Sequence, residues 1–188
     1  MAGEQGRPSP QELPPHRVLI SQAELAARVG ELGRAIGRDY QGRSPLLVGV
    51  LKGAAVFLAD LIRAVPGPVG IDFIGLSSYG AGTRSSGAVR VTADLSVSIE
   101  GRDVIIVEDI VDSGRTVDFL RRNLGTRQPR SLALCCLLDK VSRREVPVPV
   151  DYAGFVIPDE FVVGYGLDLA GFFRGLPYLA VLEASRSA

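Results

Sequence analysis

Between Pro45 and Val65 the chain passes from an unbroken apolar run, LLVGVL, into AAVFLADLIRAV, whose only charged residues are Asp60 and Arg63. The short run predicts a strand buried on both faces and the longer one a largely buried helix, joined through Leu51-Lys52-Gly53. The same strand-to-helix pattern returns in RDVIIVED, which sets four apolar residues between charged ends, followed by helical character from Arg115 to Leu124. Leu132 to Leu138 is a third uniformly apolar run. IDFIGL, DYAGFVI, FVVGYG and YLAVL are strand-like pieces set apart by Gly, Pro and Asp. Upstream, Ser21-Gln-Ala-Glu24 has the spacing of a capping box, and Leu25, Ala26, Val29, Leu32 and Ile36 keep a helical period to about Asp39. Continuous rather than alternating strands joined by helices predict an α/β fold, a mainly parallel sheet flanked by helices on both faces. One domain over 16–188 is expected, behind an N-terminal arm, residues 1–15, that carries Pro8, Pro10, Pro14 and Pro15 and is expected to be flexible.

Composition narrows the chemistry. The 188 residues balance 21 Lys+Arg against 21 Asp+Glu, which leaves no electrostatic footprint for nucleic acid or anionic lipid. No stretch approaches the roughly 18 uncharged apolar residues of a membrane span, and the N-terminus lacks a secretory core, so a cytoplasmic location and no membrane partner are expected. Cys135 and Cys136 are neighbours in an apolar run, where strand geometry turns them to opposite faces as buried small side chains. The single histidine, His16, is read as part of the proline-studded leader, so no Ser-His-Asp triad, Cys-His dyad or His-rich metal site can be assembled. Proton chemistry falls to carboxylates, lysine or tyrosine. Of the basic residues 19 are arginine, and only Lys52 and Lys140 are lysine, which draws attention to places where a slim ammonium is needed in preference to a planar guanidinium.

The strongest local signal is VIIVEDIVDSGRT, residues 104–116. A buried strand ends in Glu108 and Asp109, and Asp112-Ser113-Gly114-Arg115-Thr116 turns the chain into a helix at the end of the sheet where α/β folds bind ligands. Gly114 allows close backbone approach, Ser113 and Thr116 offer hydroxyls, and the free N–H groups of the helix start suit a phosphate. Three carboxylates beside a phosphate pocket must face something else: sugar hydroxyls, a divalent cation or a proton to be removed. The competing structural reading is an acidic strand end with a helix cap at Asp112 or Ser113. The segment GLSSYGAGTRSSGAVR, rich in glycine and serine, is either a lid or a plain hairpin connection.

These residues resemble the phosphoribosyl pyrophosphate binding motif of type I phosphoribosyltransferases: a hydrophobic strand, Glu-Asp, two apolar residues, then Asp-Ser/Thr-Gly-Lys/Arg-Thr. The resemblance extends over nearly the whole chain after the leader and points to the hypoxanthine-guanine phosphoribosyltransferase family in its short bacterial form. LVGVLKGAAVFLADL resembles the family's pyrophosphate loop, SSYGAGTRSSGAVR its flexible catalytic loop, LLDKVSRREVPVPVDYAGFVIP its purine-reading segment, and FVVGYGLDLAGFFRGLPYLAVL its small hood and carboxyl end.

The resemblance implies roles for individual residues. Glu108 and Asp109 face the ribose hydroxyls and, with Asp168, a magnesium ion; Ser113, Gly114, Arg115 and Thr116 hold the 5′-phosphate. Asp112 is the base beside the purine, and Lys52, Gly53 and Arg174 bind pyrophosphate. Lys140 donates to O6 of a 6-oxopurine, Phe161 stacks on the base, Val162 meets its edge through its backbone, and Ser78 and Tyr79 belong to the closing loop. Ala93, Phe173 and Gly175 depart from residues common among bacterial relatives. The implied activity is purine salvage, hypoxanthine or guanine plus phosphoribosyl pyrophosphate giving IMP or GMP, in a homodimer or homotetramer. Xanthine as the base, or a phosphoribosyl pyrophosphate-sensing regulator without catalysis, are the alternatives.

Overall fold

Ser21 opens the first long helix as its spacing demands. Its Oγ accepts from the Glu24 backbone N–H at 3.3 Å, and Glu24 Oε2 accepts from the Ser21 N–H at 2.8 Å. In the computed structural model, which describes residues 13–78 and 89–183, the elements are β1 (His16–Ile20), α1 (Gln22–Asp39), β2 (Leu46–Leu51), α2 (Ala55–Ala64), β3 (Gly70–Ser78), β4 (Val89–Ala93), β5 (Asp103–Val111), α3 (Arg115–Gly125), β6 (Ser131–Asp139), β7 (Tyr152–Val156), β8 (Val162–Val163) and β9 (Leu179–Leu182).

Six strands form one sheet in the order β4-β3-β2-β5-β6-β7, parallel except for β4, which runs antiparallel to β3. The expected mainly parallel sheet is therefore present, and its helices lie on both faces. Leu25, Val29, Leu32 and Ile36 of α1 and Phe57, Leu58 and Leu61 of α2 share one buried cluster with Leu47, Ile105 and Cys135. Val117, Leu120 and Leu124 of α3 share the other with Val48, Ile106 and Cys136. The two cysteines are thus buried on opposite faces, as strand alternation requires. Gly33 lets α1 reach the end of α2, since a Cβ there would lie 2.5 Å from the Ala64 carbonyl oxygen.

The hood is a second sheet, antiparallel and in the order β1-β9-β8. Here the reading of His16 is corrected: it begins β1, opposite Leu182, and belongs to the hood instead of the leader. Its pairing partner lies at the other end of the chain, so no local pattern announces it. The FVVGYG run also shortens, to Val162–Val163, because Gly164, Tyr165 and Gly166 all take positive φ, outside the range of a strand. Among the described residues no helix is long and apolar enough to cross a membrane.

The amino edge of the sheet is a stability device. Asp103, 1% exposed at the start of β5, accepts from Arg130 Nη2 at 2.7 Å and from Ser131 Oγ at 2.7 Å, with Arg43 Nη1 at 3.6 Å. Burial pushes its carboxyl pKa up, but the bonds from Ser131 and Arg130 and the charges of Arg130 and Arg43 outweigh this and hold it below the usual value. On the same side, the carboxyl end of α1 and Pro66–Pro68, just past α2, border a cleft of about 690 Å³, where the charges of Arg38 and Arg43 offset the negative end of the α1 dipole. Because the Asp103 pKa falls on folding, its stabilisation is present above about pH 4 and is lost as pH drops through the folded-state value. Asp103→Asn should therefore lower the urea midpoint near neutral pH, and the gap to the parent should narrow on acidification below about pH 4; a gap independent of pH would refute this account.

Candidate functional site

At the opposite, carboxyl edge, β5 runs two residues past the acid pair to Val111, so Glu108 and Asp109 lie within the sheet and not beyond it. Glu108 is 5% exposed and precedes Asp109 directly in the strand. Burial, and then the charge of Asp109, raise the Glu108 pKa well above the usual carboxylate value. Burial raises Asp109 too, against the Ile110 N–H, which donates to Oδ1 at 2.8 Å, and the nearby charge of Arg174. Such a pair holds a proton more tightly than two acids in water. It suits hydrogen bonding to vicinal hydroxyls, or a cation that displaces the proton.

The loop after β5 does not follow the helix-cap reading. Gly114, at φ +86°, is the N-cap of α3, and no side chain caps the helix. Ser113 Oγ reaches only the Arg115 N–H, at 3.4 Å, while the Ser113 carbonyl accepts from the N–H groups of Glu145 and Val146, both at 3.0 Å. Glycine is required twice over at 114: for the left-handed conformation, and because a Cβ would lie 2.4 Å from the Val146 carbonyl oxygen. The helix start therefore carries no carboxylate cap, and only the long bond from the Arg115 N–H to Ser113 Oγ competes with an anion. Residues from Glu108 through Gly114 to Thr116 line a cavity of about 250 Å³.

A second wall comes from the turn between β2 and α2. The Leu51–Lys52 peptide is cis and Lys52 is exposed. A Cβ on Gly53 would lie 1.5 Å from Asp109 Oδ2, so the carboxylate occupies the space that any other residue would fill. From the hood, Gly166 closes on the same turn: a Cβ there would lie 2.1 Å from the Gly53 carbonyl oxygen. Arg174 Nη1 donates to the Gly166 carbonyl at 2.5 Å, and the Gly166 N–H donates to the Arg174 carbonyl at 2.9 Å. Lys52, Gly53, Asp109 and Arg174 thus meet at one place.

The third wall follows β6. The Lys140 N–H donates to the Val111 carbonyl at 2.9 Å, which ties the end of β6 to that of β5. Its side chain is almost wholly buried, with Nζ 3.6 Å from Asp159 Oδ1. Asp159 Oδ2 accepts from Arg143 Nη1 at 3.3 Å, and Arg143 Nε donates to Asp112 Oδ1 at 3.3 Å. Arg144 donates to the Asp112 carbonyl at 3.2 Å and pairs with Asp139. Arg143, Arg144 and Asp159 were missed in the sequence reading; in a chain with 19 arginines an Arg-Arg pair carries no signal, and only proximity to Lys140 could have raised one.

Phe161 is 55% exposed and precedes β8, an edge strand of the hood, so the Val162 backbone has one edge unpaired with another strand. Asp168 stands apart from the acid pair. Its Oδ1 is 2.6 Å from Arg174 Nη2, and its Oδ2 accepts from the Gly171 N–H at 2.6 Å. Among the described residues no three His, Cys, Asp or Glu side chains are grouped to hold a metal ion, so Glu108, Asp109 and Asp168 do not form one ligand set here. Tyr79 lies outside the described residues, and of Ser78 only the backbone is described, as the last residue of β3.

Residues 20–169 match the model of the phosphoribosyl transferase domain. The hypoxanthine phosphoribosyltransferase of Salmonella typhimurium is 53% identical over 164 residues, 86% of this chain and 92% of that protein. A bifunctional protein TilS/HprT of Listeria monocytogenes is 51% identical over 167 residues, 89% of this chain, and the chain spans 26% of that relative's length. A crystal structure of a hypoxanthine-guanine phosphoribosyltransferase from Bacillus anthracis, with a HEPES molecule in its active site, superposes with a TM-score of 0.85 at 47% identity, covering 89% of this chain and 98% of the other. With its motif residues gathered at the carboxyl edge of a matching sheet, the chain belongs to the phosphoribosyltransferase family, among the hypoxanthine and hypoxanthine-guanine phosphoribosyltransferases.

Proposed function

We propose that this chain transfers the phosphoribosyl group of phosphoribosyl pyrophosphate to hypoxanthine or guanine, giving IMP or GMP and pyrophosphate. The observation that carries the reading is the convergence of three walls: the start of α3 without a side-chain cap, a basic turn against Asp109 and Arg174, and a buried lysine linked to Asp112 through Asp159 and Arg143. The 5′-phosphate fits the Ser113–Thr116 loop, where N–H groups and hydroxyls meet it without a carboxylate cap. The ribose hydroxyls fit Glu108 and Asp109. Lys52 and Arg174 face the diphosphate, whose negative charge grows as the C1′–O bond breaks and the electron pair leaves with pyrophosphate. The purine N9 forms the new bond to C1′, and Asp112 takes the proton that the base gives up.

The donor set of Glu108 and Asp109 fits a magnesium ion: hard carboxylate oxygens, with substrate oxygens and water left to complete the shell. When bound, magnesium neutralises diphosphate charge. Asp168, engaged by Arg174 and Gly171, serves in this reading to orient Arg174. Lys140 supports selection of a 6-oxopurine, because an ammonium accepts no hydrogen bond and adenine presents a donor where hypoxanthine has O6. Phe161 offers its exposed ring to the base, and the free edge of Val162 its backbone. Exposed apolar residues such as Ile71 and Val97 support assembly as a homodimer or homotetramer.

The direct test offers hypoxanthine, guanine, xanthine and adenine with phosphoribosyl pyrophosphate and magnesium to the purified protein. Nucleotide from hypoxanthine and guanine, with adenine poorer by roughly 10³-fold, is expected. Folded protein that turns over none of them would displace catalysis in favour of ligand sensing. Asp112→Asn should lower kcat by about 10²-fold with little change in phosphoribosyl pyrophosphate affinity, and an unchanged kcat would remove it from proton transfer. Lys140→Ala should narrow the preference over adenine by at least about tenfold; an unaltered preference would assign O6 to another group.

A further inference from the structure

Arg174 and Gly53 meet through Gly166, and one residue earlier Tyr165 is anchored to a different part of the fold. Tyr165 is 7% exposed and holds φ at +46°, the left-handed region that a tyrosine rarely adopts without tertiary support. Its hydroxyl donates to Asp60 Oδ2 at 2.6 Å. Asp60 lies on α2, the helix that follows the Lys52-Gly53 turn, and its Oδ1 is held by Arg63 Nη1 at 3.0 Å, which leaves Oδ2 for the tyrosine. The Tyr165 N–H donates to the Leu176 carbonyl at 2.9 Å, two residues past Arg174. Through its hydroxyl and its backbone N–H, this one residue therefore links α2 to both ends of the hood segment carrying Gly166 and Arg174.

We propose that Tyr165 and Asp60 are positioning residues for the diphosphate end of the site: their hydrogen bond holds the hood at the distance that keeps Arg174 beside the Lys52-Gly53 turn. This rests on the phosphoribosyltransferase reading above. Neither residue is among those assigned to substrate contact, and the effect passes through Gly166, whose Cα face has no room to move toward Gly53. Arg174, Tyr165 and Leu176 border a cavity of about 280 Å³ together with Leu25, Val56 and Asp60, so the segment is not close-packed against the helices there and the hydrogen bond spans a gap that side-chain packing leaves open. Burial and the Asp60 carboxylate also push the Tyr165 hydroxyl pKa far up, so it remains a donor throughout the working pH range.

A device of this kind acts on one end of the substrate. Tyr165→Phe, which keeps the ring and loses only the hydroxyl, should raise KM for phosphoribosyl pyrophosphate, and for pyrophosphate in the reverse direction, by about five- to tenfold, with KM for hypoxanthine within about twofold. Asp60→Ala should reproduce the effect, Asp60→Asn, which keeps an acceptor, should retain near-parent behaviour, and Tyr165→Phe with Asp60→Ala should add little to either change alone. Calorimetric titration of phosphoribosyl pyrophosphate with magnesium into parent and variants gives the same comparison without turnover. Weaker binding in Tyr165→Phe and Asp60→Ala supports the proposal even if the parent makes no nucleotide, an outcome that overturns the assigned activity alone. Equal affinities, or a loss shared equally by the base, overturn the positioning role. A parent that binds no phosphoribosyl pyrophosphate overturns both readings.

Discussion

The site depends on an approach that leaves no room for a side chain at Gly53. The carboxylate of Asp109 occupies the volume where a Cβ would stand, and the Gly53 carbonyl is met from the other side by Gly166. Three distant stretches of sequence, the β2–α2 turn, the end of β5 and the hood, are thereby brought within one substrate's reach. Fixed backbone at this junction supplies the geometry that flexible side chains alone could not hold, and keeping reacting groups in place is a large part of what a transfer site can contribute.

The two edges of the sheet divide stability from chemistry. At the amino edge Asp103 is satisfied by Arg130 and Ser131, with Arg43 close by, and its pKa falls. At the carboxyl edge Glu108 is buried, Asp109 is packed onto Gly53, and the pKa values of both rise. The same residue type on the same strand thus takes opposite electrostatic states, because partners outweigh burial in one place and burial outweighs partners in the other. The strained arrangement sits where a cation or a sugar would relieve it.

Much of this organisation was legible beforehand. Uniformly apolar runs marked β2, β5 and β6 because parallel strands covered on both faces have no polar side to show. The Ser21–Glu24 spacing fixed the start of α1, since both reciprocal hydrogen bonds are local. The motif at 104–116 located the loop that we propose holds the phosphate for the same reason: strand, turn and helix start are consecutive. Where the governing contact was distant, the sequence was silent or misleading. β1 takes its identity from β9, the end of β5 from burial of its acids, and the absence of a cap on α3 from the Val146 segment that crowds Gly114.

By itself, then, the chain determined its layers, its family motif and the residue types available for chemistry, all of which rest on neighbours within a few positions or on periodicity along one element. Tertiary structure alone decided which charges face one another. It set Arg143 between Asp112 and Asp159, placed Asp168 with Arg174 and away from the acid pair, and hung the hood on Asp60 through Tyr165. Ion pairs and hydrogen bonds are short-ranged and depend on direction, so they exist only once the backbone has brought remote residues to within a few ångströms, and no pattern along the chain records that distance.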